Sequence, residues 1–248
     1  MEAAHIIRES VARVSELRHA AATDGNLMEA SRAIKRFQAR RFAGTYADLL
    51  ASPTYRGATR FFLEELYSEK DYSQRDEQFA RIAGALQTYF PEQVVSTAVA
   101  LAQLHALTEQ LDHQMAAAWL AQSSDVISTD TLRYIFAWKS VGRPGDRARQ
   151  LSDVLQVGEE LDRLTRKTGL RMMLRMMRKP AEVAGLGSLQ SFLESGFDTF
   201  AEMAGRGAKA REFLEIIRKR ETAWLADLYG DDSVTCETKL AVCLGKTP

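Results

Sequence analysis

Cysteine, net charge and long apolar runs are all in short supply here, and each shortage excludes a class of protein. The 248 residues contain two cysteines, Cys236 and Cys243, too few and too close together to staple a core of this size. A reducing, cytoplasmic setting is therefore the expectation. No histidine lies near that pair, so a zinc site is not expected there. Thirty-three Lys and Arg balance thirty-three Asp and Glu, so total charge offers no long-range attraction to nucleic acid or membrane. The longest strictly apolar run is Met115 to Ala121, seven residues, against roughly 20 for a spanning helix. No transmembrane segment is expected. Met1 to Arg18 carries charges throughout and lacks the apolar centre of a secretion signal, so it is expected to stay in the mature protein. The Gly-x-x-x-x-Gly-Lys, Gly-x-Gly-x-x-Gly and Gly-x-Ser-x-Gly patterns are missing too, which leaves the common nucleotide-binding and hydrolase classes without support. No cofactor is predicted.

What remains is a chain that is 46% apolar and 27% charged, the composition of a globular protein with a sizeable core. Only 15 glycines and 5 prolines punctuate it, and the intervals between them repeat apolar residues at three- and four-residue steps, as helices do. Ile7, Val11, Val14 and Leu17 make one such stripe. Pro91 opens a long alanine-rich helix to about Gln122, whose small side chains suit the middle of a bundle. Ser73 with Asp76 three residues on reads as a weak capping box, Ser128 as a helix cap, and Gly142 to Gly145 as a turn. The expectation is all-α: a single-domain bundle of about nine helices, mostly antiparallel neighbours, over 1–229. The polar stretch 230–248 is read as a mobile tail.

The run Phe61-Phe62-Leu63-Glu64-Glu65-Leu66-Tyr67, followed by Asp71-Tyr72-Ser73-Gln74-Arg75-Asp76, resembles the signature of an uncharacterised bacterial family named after its FFLEELY motif. Leu104 to Glu109 and Phe213 to Glu215 extend the similarity. Tyr72 stands where that pattern has phenylalanine. The resemblance implies a helical fold and carries no activity or catalytic residue with it.

Three groups of residues call for chemistry. On a helical projection, Glu65 falls between Phe61 and Phe62 on an apolar arc, and Arg75 near the centre of the stripe formed by Phe79, Ile82, Ala83, Leu86 and Phe90. An arginine in the first turn faces the positive end of the helix dipole and needs a carboxylate. Glu65 and Arg75 are thus predicted to form a buried structural ion pair with a bidentate fork, under the Ser68 to Tyr72 loop. The second group is His105, Glu109, Asp112 and His113, one sector of the alanine-rich helix. Leu104, Leu107, Leu111 and Met115 line its opposite side, so this sector is predicted to face water. The other reading is a ligand site, or a metal held by His105, Glu109 and His113; no metal is predicted as the first choice, since the usual Glu-x-x-His pairs are absent.

The third group is basic. Arg32, Lys35, Arg36 and Arg40 form one stripe. Arg171, Arg175, Arg178 and Lys179 form another beside four methionines, read most simply as a deeply packed helix edged by arginines, with the alternative of an anionic-surface or peripheral membrane contact. Aromatics are not interleaved with these basic residues, so nucleic acid is not expected as a partner. The functional expectation is a non-enzymatic cytoplasmic module that binds a protein partner or itself. The alternative is a helical bundle that binds a metal or small ligand, with or without catalysis, through Glu65, Arg75, His105, Glu109 and His113. Convergence of those five side chains on one apolar-walled cavity favours the alternative.

Overall fold

The computed structural model describes residues 2–66, 70–122, 129–204 and 208–245, and every regular element among them is a helix. Ser68 and Ser128 lie outside the described residues. Helices α1 (Glu2–Thr23) and α2 (Gly25–Thr45) meet at Asp24, whose carboxylate accepts hydrogen bonds from the Asn26 and Leu27 backbone N–H groups and so caps α2. The short α3 (Ala47–Ala51) leads to α4 (Arg56–Glu65). Then α5 (Ser73–Tyr89) stops before Pro91, and α6 (Glu92–Leu120) follows. Its 29 residues span about 44 Å.

Thr129 caps α7 (Asp130–Val141), which ends on Gly142 at φ +59°, a left-handed conformation that glycine adopts without steric cost. Pro144 then starts α8 (Pro144–Thr165), where its missing N–H is no loss. The remaining helices are α9 (Leu170–Met176), α10 (Arg178–Val183), α11 (Gly187–Ala204), α12 (Lys209–Tyr229) and α13 (Ser233–Cys243).

Helix α6 is the axis. Helices α1, α2, α7 and α8 pack around it, and α11 and α12 pack on α8. Three apolar clusters result. One gathers Phe37, Met115, Trp119, Tyr134 and Trp138, and a second gathers Phe42, Tyr46, Phe61, Phe62, Phe200 and Phe213. The smallest joins Ala4, Ile7, Ala83 and Ala102 of α1, α5 and α6.

Thirteen helices among the described residues replace the expected nine or so, for physical reasons. Ile34, Phe37, Tyr46 and Leu49 fall at helical spacing, but the helix breaks at Tyr46, which ends α2 and begins α3. The stretch 170–183 likewise divides at Met177 into α9 and α10. The supposed mobile tail is the clearest correction, because its residues 233–243 form α13. Apolar residues are few there, but Cys236, Leu240 and Leu244 recur every four positions and are buried against α2 and α7. Spacing, not the number of apolar residues, decides burial. Asp232 caps this helix through the Thr235 N–H. A Cβ at Gly44 would stand 1.8 Å from the Cys243 carbonyl oxygen, so only glycine lets the end of α13 come this close to α2.

Candidate functional site

The polar sector of α6 does not face water. Helices α1, α2 and α5 cover it and bring countercharges to it. Arg18 Nη1 of α1 lies 2.8 Å from Asp76 Oδ2 of α5, and His105 Nε2 of α6 lies 2.9 Å from the same oxygen. Lys35 of α2 donates to both carboxylate oxygens of Glu109 at 2.8 and 3.0 Å, and Arg18 Nη2 stands 3.6 Å from Glu109. Only 8% of the Asp76 side chain is exposed. Burial alone would push its proton affinity up, but the His105 hydrogen bond and the charges of His105, Arg18 and Arg75 outweigh burial and hold the carboxyl below its ordinary value. Glu109 behaves alike: Lys35, His105 and Arg18 overcome its burial and keep it low.

One turn further along α6, Asp112 is the opposite case. It is fully enclosed, it accepts one hydrogen bond from Gln38 Nε2 at 2.9 Å, and its proton affinity is raised, burial being the main cause. A carboxyl with a folded pKa above its unfolded value costs stability once the pH passes the unfolded value, because folding must then take up a proton. Asp112→Asn is therefore expected to match or exceed the wild-type melting temperature at neutral pH, with the gain disappearing as the pH falls below the ordinary value of 3.8. Thermal denaturation across pH checks this; a large loss at neutral pH would mean that Asp112 is an ionised, well-paired group.

The Glu65–Arg75 region is tied as follows. Arg75 Nη1 lies 3.3 Å from Glu65 Oε2, and Lys70 Nζ is 3.7 Å from the other oxygen, so the contact is single and not the expected fork. The guanidinium is held chiefly by its faces: its Cζ lies 4.0 Å from the Tyr72 ring centroid and 4.4 Å from that of Phe192. Tyr72 Oη donates to the Glu64 carbonyl at 2.6 Å, which fastens the end of the loop to α4.

These groups share one space. A cavity of about 450 Å³ is walled mainly by apolar side chains from all three clusters and from α5, α8 and α11, including Phe61, Phe79, Leu101, Leu161, Leu193 and Phe197. Glu65, Arg75, His105 and Glu109 line it, as do Asp76, Asp112 and Arg147. His113 does not; it is half-buried on α6, away from this lining. Among the described residues no group of three or more His, Cys, Asp or Glu side chains is placed to hold a metal ion. Arg18 and Lys35 already take up the carboxylates that a metal would use.

The basic stripe over 170–179 departs from the deeply packed reading. It is not deeply packed: α9 buries no residue, and Met172 and Met176 are 68% and 71% exposed. Its arginines are also engaged. Arg171 and Arg175 pair with Asp198, and Arg178 with Glu194, both acids on α11. Half-buried Leu174 and the more exposed Met173 of α9 touch the cavity, so α9 forms part of its wall. No helix among the described residues is long and apolar enough to cross a membrane.

Several residues of this site escape sequence reasoning. Asp76 reads as a capping residue, yet α5 has no side-chain cap and Asp71 accepts the Ser73 N–H instead. Lys35 reads as part of a basic stripe, and Arg18, Gln38, Tyr134 and Arg147 give no signal. The one usable hint was an excess of charge on helix faces that also carry apolar stripes.

The fold and cavity define an all-helical protein with a buried charged cluster against an apolar chamber. A family described as a domain of unknown function, DUF8198, matches residues 17–234, most of the chain, and the protein belongs to it. No curated protein and no solved structure matches.

Proposed function

We propose that the protein binds a small molecule with an apolar body in the central cavity, its polar end among the charged groups of α6 and α8. The observation that carries this reading is the cavity itself, whose volume of about 450 Å³ falls in the range of small-molecule sites, roughly 300–1,000 Å³. Four of the five candidate residues, Glu65, Arg75, His105 and Glu109, meet on its wall. That convergence favours ligand binding over the protein-interaction module suggested by the absence of catalytic motifs.

Protein association is a second reading, favoured by the exposed Met172, Met176 and Val183 on α9 and α10. Native mass spectrometry of protein purified without a metal-affinity tag separates the two. Ligand binding predicts a chain that carries an extra mass of a few hundred daltons, on the order of a drug-sized ligand, lost on denaturation. A bare dimer would favour association, and a bare monomer that also takes up no apolar dye would overturn the cavity reading.

A further inference from the structure

The cavity holds more hydrogen-bond donors than the protein satisfies. Arg147 of α8 is buried with 5% exposure, and its Cζ lies 4.1 Å from the centroid of the Trp138 indole. The indole face holds the guanidinium by a cation–π contact and leaves its N–H groups to find acceptors. Nη1 donates to Gln150 Oε1 at 3.1 Å, and Gln150 is itself tethered to Thr108 Oγ1 at 2.8 Å. Nη2 has no partner, and neither has the indole Nε1 of Trp138, although both atoms are buried. Arginine and tryptophan side chains can only donate. Two orphaned donors on neighbours that both line the cavity therefore call for an acceptor from outside the chain.

The charges tell the same story. Lys35, Arg41 and Arg75 line the cavity, each within ion-pair distance of a carboxylate: Glu109, Glu221 and Glu65. Among the described residues Arg147 has no carboxylate within 4.0 Å of its guanidinium. Asp112, whose charge Arg147 also feels, accepts from Gln38 Nε2 instead, and burial raises its proton affinity. Of the lysines and arginines among the described residues that line the cavity, Arg147 is the one without an ion-pair partner.

We infer that the ligand is an apolar-chain monocarboxylate, its carboxylate received by Arg147 Nη2 and Trp138 Nε1 and its chain lying along the Phe61, Phe79 and Phe197 walls. A single negative charge balances a single cation, whereas a phosphate monoester would bring a surplus. This assignment rests on the cavity being a ligand site, and the test tells the two apart. Isothermal titration of the full chain with decanoate and with decanol compares probes that differ only in the headgroup.

Decanoate is expected to bind on the order of tenfold or more tightly than decanol, the value of hydrogen bonds to a charged group. In Arg147→Met that preference should vanish while decanol binding persists, which also certifies the variant's fold. Trp138→Phe, which removes only one donor, should narrow the preference if Arg147→Met does not fold. Equal binding of the two probes by the wild type would overturn the carboxylate assignment and leave the cavity reading standing. Preference that survives in Arg147→Met would overturn the role of Arg147, and binding of neither probe would overturn both readings.

Discussion

Asp76→Asn is expected to lower the unfolding free energy by about 3–5 kcal/mol, the cost of removing one member of a buried charge cluster. The carboxylate oxygen Oδ2 serves two partners, Arg18 at 2.8 Å and His105 at 2.9 Å. An amide of the same shape supplies no charge for either, so Arg18 is left partly buried with only Glu109 at 3.6 Å. The effect depends on pH in a defined direction. Because Asp76 and Glu109 both titrate below their ordinary values of 3.8 and 4.5, their stabilisation is complete above those values and is lost as the pH falls through the lower folded-state values. The gap between wild type and variant should thus be widest near neutrality and close below pH 3.8. Urea denaturation at several pH values measures both. A variant with the wild-type midpoint would show that Arg18 and His105 do not depend on this carboxylate.

Arg75→Ala should cost about 3 kcal/mol, and Glu65→Gln only about 1 kcal/mol. The asymmetry follows from how each group is held. Arg75 is 12% exposed and lies between the Tyr72 and Phe192 rings, whereas Glu65 is 24% exposed and shares its carboxylate with Lys70. Truncating the arginine removes two cation–π contacts and the stem that packs between the rings. Neutralising the glutamate weakens two long contacts, to Arg75 and Lys70, that water can replace. Equal losses in the two variants would mean that the ion pair, and not the aromatic sandwich, secures the junction of α4 and α5.

Much of the helical pattern is readable along the chain. The stripe Ile7, Val11, Val14, the stop before Pro91 and the break at Gly142 all correspond to observed features. Each depends on contacts within about one turn, and such contacts are written in neighbouring residues. Glu65 and Arg75, ten positions apart across the α4–α5 junction, meet through a single contact in place of the expected fork. The water-facing assignment of Glu109 failed because the partners that make its burial tolerable lie far off in sequence: Lys35 is 74 residues away.

Periodicity and punctuation were enough to establish an all-helical chain without strand patterns, because a helix closes its hydrogen bonds between residues four apart. Burial of α13 needed only a better reading of the same spacing. The chamber belongs to a different level. Arg18, Lys35, Asp76, His105 and Arg147 come from five helices, α1, α2, α5, α6 and α8, and their charges acquire meaning only from one another. A charge on a helix face is neutral as to whether water or a countercharge will meet it, and the packing of distant helices supplies that answer.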